Sequence, residues 1–373
     1  MKTAVLFDFD DEDDRQFAES ENRDYLNNQV IMYSGRKKSL LNFIDVEVES
    51  IKKKLNKNKL TILDGFSGTG IVSRLMKKHS STLYSNDLEY YSKIINHCYL
   101  TNKNTFKRSH LEDLVIQLNS MSIQEHETGF IEELYAPKNT HDIQVGERAF
   151  FTNENAKIID NIRGDIDILV EPTLRPLFIA PLLSALSGRV NVQNVFRAFY
   201  KDTPSNKGQW GGNTPKLISK IFQRIILETP VLSDFNCESE IYCREINELV
   251  KELPEVDLAY FDPPYDEYAY GENYFMYNLI AKYERPVKIT KGAGVPLDWN
   301  RSTYNNRKNS ILALSDLIEN TKAKFIMLTY DASGIIQLPD ILSILQQFGK
   351  VEMKTEKRNS KDSVNLFILE KGH

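Results

Sequence analysis

Cysteine is nearly missing from this sequence: 373 residues contain three, Cys98, Cys237 and Cys243. Their number is odd, no Cys-x-x-Cys occurs and no histidine stands at ligand spacing from any of them. Neither a disulfide framework nor a zinc site is therefore indicated, and the three read as buried thiols. Long apolar runs are missing as well, since none approaches the roughly 18 residues that a membrane helix needs. The acidic stretch Asp8–Asp14 is the opposite of the basic start of a signal peptide. A cytoplasmic protein with no membrane partner is expected. Proline (13) and glycine (17) are scarce while 41% of residues are hydrophobic and 27% charged, which excludes collagen-like and wholly disordered chains. At roughly 150 residues per domain, the length predicts two domains.

Net positive charge is also absent: the formal charge is −5. Its distribution matters more than its total. Residues 1–24 carry nine acidic and three basic side chains, so the rest of the chain is slightly positive. Residues 195–225 hold Arg197, Lys201, Lys207, Lys216, Lys220 and Arg224 against Asp202 alone. A basic patch of this kind suits phosphates, although a solvated lysine face has the same composition.

What is present has an α/β rhythm. The apolar, β-branched run Leu60–Asp64 leads into Gly65-Phe66-Ser67-Gly68-Thr69-Gly70 and then into Ile71–Met76 at helical spacing. A second strand, Thr82–Ser85, ends at Asn86-Asp87 and precedes a predicted helix from Glu89 to about Thr101. This βαβ order predicts a parallel sheet. Residues 1–30 read as an acidic arm. From about 106 to 235 the alternation stops, and helices are predicted over Asn155–Arg163, Leu174–Leu186 and Pro215–Leu227, with a glycine-rich loop at 206–213. Strands resume at Glu240–Cys243, Val256–Phe261, Lys324–Thr329, Lys350–Met353 and Asn365–Leu369. The middle block thus reads as an insertion, 106–235, in a sheet domain made of 31–105 and 236–373.

The sharpest motif is Asp262-Pro263-Pro264-Tyr265, directly after the strand Val256–Phe261. Two prolines cannot continue a strand ladder, so the chain must turn where open α/β sheets place their ligands. Chance supplies this tetrapeptide in on the order of one chain per thousand of this length. A carboxylate from Asp262 and the carbonyl of Pro263 can accept both N–H bonds of a nucleobase amine and localise its lone pair, while Tyr265 offers a face for stacking. In the second motif, Asp64-x-Phe66-x-Gly68-x-Gly70, the glycines let a ligand approach the backbone, and Asp87 at the tip of the next strand suits ribose hydroxyls. A dinucleotide fold wants a third glycine where Ser73 stands, which disfavours a nicotinamide cofactor. The third motif, Tyr33-Ser34-Gly35-Arg36-Lys37, by itself reads as a turn that opens an amphipathic helix.

Taken in order, these three motifs resemble the Dam-like family of adenine-specific DNA methyltransferases, in which a Y/W-x-G-x-K segment comes first, the glycine loop second, a recognition domain third and D-P-P-Y last. Glu147-Arg148-x-x-Phe151-Thr152-x-x-Asn155-Ala156 and Tyr268-x-Tyr270-Gly271-x-Asn273-Tyr274 are similar to segments of its restriction-modification branch. The resemblance implies an α/β, Rossmann-like, S-adenosylmethionine-dependent methyltransferase sheet with an inserted, mainly helical DNA-recognition domain. It implies that Tyr33 and Lys37 touch the cofactor S-adenosylmethionine, Asp87 its ribose, Asp64 and Gly68 its methionine end, and Glu245 its adenine, with Phe66 and Gly70 completing the loop. Asp262, Pro263, Pro264 and Tyr265 would hold an adenine flipped out of duplex DNA; apart from the resemblance, the positive excess of residues 195–225 leads us to expect Lys201 and Lys207 on DNA phosphates. The resemblance further implies direct methyl transfer without a metal, by a monomer, with a cognate restriction endonuclease as a possible partner.

Two other readings use the same residues. D-P-P-Y also serves RNA base-amine methyltransferases, and a non-catalytic DNA-binding module could keep the fold. The long interval from Asp64 to Asp262 favours duplex recognition, since it holds a large insert, and the intact Asp262 argues against a module without turnover.

Overall fold

A computed structural model of the chain describes residues 21, 23–27, 30–33, 37–212, 214–357 and 363–372. Among these residues seven strands form one sheet: β1 (Leu60–Asp64), β2 (Ser80–Asp87), β3 (Glu238–Cys243), β4 (Val256–Phe261), β5 (Ala323–Asp331), β6 (Gly349–Lys357) and β7 (Ser363–Lys371). Their order is β3-β2-β1-β4-β5-β7-β6. The first five are parallel, and β7 runs antiparallel to both β5 and β6. β4 is buried along its whole length, as a central strand covered on both faces must be. At its amino end the Asp257 carboxylate takes Lys57 at 2.8 Å and Lys324 at 2.9 Å and also accepts from Thr61 N, which ties three strand starts together.

The helices are α1 (Arg23–Asn27), α2 (Leu41–Leu55), α3 (Ile71–Lys77), α4 (Tyr90–Leu100), α5 (Arg108–Met121), α6 (Phe130–Tyr135), α7 (Asn153–Leu169), α8 (Pro176–Ser187), α9 (Pro215–Ile221), α10 (Ile246–Glu252), α11 (Tyr270–Asn273), α12 (Phe275–Lys282), α13 (Ser310–Asn320) and α14 (Leu338–Gln346). Ile44, Val48 and Ile51 of α2 and Leu75 and Met76 of α3 cover one face of the sheet. Leu249 of α10, Leu317 of α13 and Ile341 of α14 cover the other. A third apolar cluster joins α4 to α8 with α12, and it includes Tyr91, Ile95, Phe150, Ile159, Leu183 and Tyr277.

Every strand placed by the sequence is present, most of them longer by a residue or more at their ends. Two regions differ from expectation. Residues 222–227 do not continue α9. Ile225 and Leu227 are buried while Ile226 is exposed, so burial alternates with period two, as in an extended chain. Two asparagines hold it in that form. Asn155 donates to the carbonyls of Ile221 and Gln223 and accepts from Ile225 N, and Asn119 brackets Leu227 through both its N–H and its carbonyl. In the acidic stretch 1–30, residues 1–20, 22, 28 and 29 lie outside the described residues, but its end is packed. Tyr25 is buried on α1 and donates to the Tyr99 carbonyl at 2.7 Å, and the Glu21 carboxylate accepts from Ser233 Oγ and Asp234 N.

The topology creates one switch point. From β1 the chain steps to β2 and β3 on one side, and from β4 to β5 on the other, so the β1 and β4 carboxyl ends lie side by side with nothing crossing between them. Open α/β sheets bind ligands in that crevice. Asp64 ends β1, and Asp262 follows β4.

Candidate active site

At the end of β1, Gly65 N donates to the Tyr260 carbonyl of the neighbouring strand at 2.9 Å, and the chain turns. Gly68 and Gly70 both adopt left-handed backbone, at φ +51° and +74°, which side-chain-bearing residues enter at a cost. A Cβ at Gly70 would stand 2.5 Å from Asn96 Oδ1 on α4, so the loop also sits too close to that helix for any side chain. The turn frees Gly68 N to donate to Asp87 Oδ2 at 2.8 Å, while Asp87 Oδ1 accepts from Glu89 N at 2.9 Å. Asp87 thereby fixes the loop after β1 to the loop after β2.

Four carboxyls gather here, Asp64 and Glu89 buried and Asp87 and Glu245 half-buried. Burial pushes Asp87 up to about 6 against its three backbone hydrogen bonds, and pushes Glu89 up to about 7 against its bonds from Asn278 and Asn300. Glu245, at the start of α10, is raised for the same reason. Asp64 is raised to about 7, chiefly by burial. These groups keep their protons more tightly than free carboxyls, a state that a positively charged ligand would reverse.

On the opposite wall, the Asp262 carboxylate is held at both oxygens. Thr329 Oγ1 donates to Oδ1 at 2.8 Å, and Lys37 Nζ pairs with Oδ2 at 2.7 Å. The Thr329 contact follows from register: Phe261 pairs with Leu328, so the next residue of each strand also meets. Lys37 is buried and lies 6.0 Å from the Tyr265 ring centre. Behind it, Tyr33 stacks on Tyr270 and Tyr274 with ring centres 5.2 and 4.8 Å apart.

One cleft is lined by Tyr33, Lys37, Phe66, Gly68, Asp87 and Glu245 together with Asp262, Pro263, Pro264 and Tyr265. All ten were singled out from sequence. Asp64 and Gly70 do not line it. Asp64 is fully buried and accepts from Ser73 Oγ at 2.6 Å, which fastens β1 to α3. Ser73, standing where a dinucleotide fold has glycine, thus carries a hydroxyl that this buried carboxyl uses. Residues 34–36 of the first motif lie outside the described residues. Lys201 and Lys207 lie elsewhere: Lys201 is exposed over the Phe199 ring, and Lys207 lines a shallow hollow with Thr140, His141 and Trp210. The loop glycines at 208, 211 and 212 pack inward against Ala149, Ile218 and Tyr200, and give close approach to the protein's own core. Arg197 is paired with Glu272 at 3.4 Å.

Sequence reasoning missed Thr329, Glu89, Asn86, Asn300 and Asn305. Asn86 bridges the Gly65 carbonyl to both backbone groups of Arg244, and Asn300 donates to Leu88 O. Asn86 and Glu89 flank Asp87 in the chain, which was a usable signal; Thr329 and the asparagines after residue 299 have no local one. Among the described residues no cluster of three His, Cys, Asp or Glu is placed to hold a metal, and no helix is long and apolar enough to cross a membrane.

Residues 33–344 match the model of a family described as D12 class N6 adenine-specific DNA methyltransferase. The type II methyltransferase M.NlaIII of Neisseria lactamica is 27% identical over 359 residues, 91% of this chain and 99% of that protein. The type II methyltransferase M.CviAII of Paramecium bursaria Chlorella virus 1 is 26% identical over 333 residues, 87% of this chain and 90% of that protein. The modification methylase StsI of Streptococcus sanguinis is 27% identical over 338 residues, 86% of this chain but only 47% of that longer protein.

Proposed function

The chain belongs to the D12 class N6 adenine-specific DNA methyltransferase family, and from that premise we propose that it is the modification enzyme of a restriction-modification system, using S-adenosylmethionine to methylate one adenine of a specific duplex word. Membership of an adenine-specific DNA family sets aside the RNA-amine reading. The restriction-modification role draws on relatives named as type II methyltransferases and modification methylases. It carries with it a cognate endonuclease, a cytoplasmic location and action as a monomer.

The residues suit the cofactor. S-adenosylmethionine is cationic at its sulfonium and ammonium, supplies an activated methyl group, and would restore charge to the carboxyls of Asp87, Glu89 and Glu245. Asp87 and Gly68 would hold its ribose and methionine end, Tyr33 and Phe66 its apolar surfaces, and Glu245 the side of its adenine. Asp64 and Gly70 would act indirectly, by shaping the loop.

One observation carries the catalytic reading: Lys37 Nζ, a bearer of N–H bonds, rests 2.7 Å from Asp262 Oδ2 inside the cleft that the glycine loop shares. The acceptor thus already faces inward and already takes an N–H donor. An exocyclic adenine amine would replace Lys37 there, with its second N–H on the Pro263 carbonyl and its ring on Tyr265. Lys37 then becomes free to meet the cofactor. Two acceptors on one amine localise its lone pair toward the methyl group, and Thr329 keeps Asp262 from rotating away. A base in this cleft must leave the helical stack, which is the reason for a flipped adenine. Residues 106–235 would read the sequence, with Lys201 and Lys207 on phosphates.

Incubating the purified protein with labelled cofactor and duplexes of varied sequence, digesting to nucleosides and mapping the label tests this. N6-methyladenine at one word is expected. Label confined to RNA, or to no nucleic acid, overturns it.

A further inference from the structure

Residues 285–308 hold Arg285, Lys288, Lys291, Arg301, Arg307 and Lys308 against Asp298 alone, an excess as large as that of residues 195–225. In 195–225, Arg197 is paired with Glu272 and Arg224 donates to the Asn119 carbonyl, and among the described residues Lys201, Lys207, Lys216 and Lys220 have no ion-pair partner. In 285–308, Arg285 is paired with Glu133, and among the described residues Lys288, Lys291, Arg307 and Lys308 are exposed and likewise have no ion-pair partner. What sets the second segment apart is how it is held and where it leads.

The segment is not a loose loop. Ile289 bridges antiparallel to Pro296, Thr290 N donates to Val295 O at 2.9 Å, and Leu297 N donates to Lys288 O at 3.1 Å, which makes 288–297 a small hairpin. It is anchored from the helical block. Arg148 donates to the carbonyls of Gly292 at 3.0 Å, Thr290 at 3.1 Å and Lys291 at 3.3 Å, and Tyr135 OH donates to the Gly294 carbonyl at 2.8 Å. Gly294 adopts φ +74°, and a Cβ there would meet Arg148 Nε at 2.7 Å. Two side chains, Arg148 and Tyr135, thus make four hydrogen bonds to a ten-residue projection bordered by the exposed apolar side chains Val287 and Leu297. Three residues past the hairpin the same chain enters the cleft wall at Asn300, Ser302 and Asn305, with Arg301 outside over the Trp299 ring at 4.5 Å. The segment therefore borders the same cleft that Asp262 lines.

We infer that the hairpin 288–297 and the basic chain that follows it to Lys308 form a second DNA surface, which grips the phosphates of the duplex beside the cleft. The inference rests on duplex DNA being the substrate, as proposed above. A pre-formed hairpin loses little chain entropy on binding, so its lysines add affinity at small ordering cost. Each phosphate neutralised adds about 0.9 to the slope of log affinity against log salt. The partner is the sugar-phosphate backbone, so the contribution is the same for every sequence.

Fluorescence anisotropy of a labelled duplex with the full-length protein, over a series of potassium chloride concentrations, tests this. Lys288→Ala/Lys291→Ala is compared with Lys53→Ala/Lys350→Ala, which removes equal charge at the opposite, amino-terminal edge of the sheet. The hairpin variant is expected to lose about two units of salt slope, equally on specific and random duplexes, while the control matches wild type. Thermal melting verifies that both are folded, and Lys288→Glu/Lys291→Glu should deepen the loss. A wild-type slope in the folded hairpin variants overturns the surface while leaving DNA methylation standing. If the wild-type protein neither binds nor methylates duplex DNA, the failure lies in the functional reading itself.

Discussion

Lys37 and Asp262 meet at 2.7 Å across the cleft, one from the segment before α2 and the other from the turn after β4. The pair and its partners define what each residue should do when changed.

Asp262→Ala should abolish most turnover and little binding. The stacking face of Tyr265 and the backbone turn remain, but one of two acceptors for the amine is lost, and comparable losses cost about a hundred- to a thousandfold in kcat. Single-turnover methylation beside DNA affinity checks this; wild-type kcat in the variant would remove the mechanism.

Thr329→Val removes the hydrogen bond to Asp262 Oδ1 together with the one shared with Tyr260 OH, at a residue that does not itself line the cleft. A hydrogen bond to a charged group contributes about 1.5–3 kcal/mol, so kcat should fall roughly ten- to a hundredfold with KM for DNA nearly unchanged. Thr329→Ser should restore it, since the hydroxyl returns. A KM effect alone would make Thr329 merely structural.

Asp87 and Glu89 have values raised by burial to about 6 and about 7. The folded protein therefore holds protons that the unfolded chain releases near pH 4, so these groups stabilise the ligand-free protein at low pH. That stability is lost as pH climbs through about 6 to 7. A cationic cofactor prefers the charged carboxyls, so its affinity should rise over the same window. Calorimetric titration from pH 5.5 to 8 checks this, and Glu89→Gln should flatten the upper part of the profile. Affinity that falls with pH would exclude these carboxyls as its partners.

Gly70→Ala should destabilise the fold. The left-handed backbone costs a β-carbon about 1 kcal/mol or more, and the contact with Asn96 Oδ1 adds to it. Urea unfolding should show a loss of roughly 1–3 kcal/mol with unchanged slope. An unchanged midpoint would mean the loop can shift, and Gly70 would then have no structural necessity.

The sequence by itself determined the elements and their order. Apolar runs at period two and 3.6, broken by Gly65–Gly70 and by Pro263-Pro264, are local signals, because a strand or turn is chosen mostly by side chains within a few residues of it. Even so, Ile225-Ile226-Leu227 misled, since three apolar residues suit either period until Asn155 and Asn119 fix their backbone. What the tertiary structure alone decided is which of those residues face one another. Strand order places Asp262 beside Thr329 and puts the ends of β1 and β4 at one crevice. The same packing turns Asp64 inward to Ser73 and away from the cleft, and pins the hairpin 288–297 to Arg148. Those contacts join residues far apart in the chain, and no local preference specifies them. They form because burying the sheet's two faces leaves each polar group only the partners that the topology brings within reach.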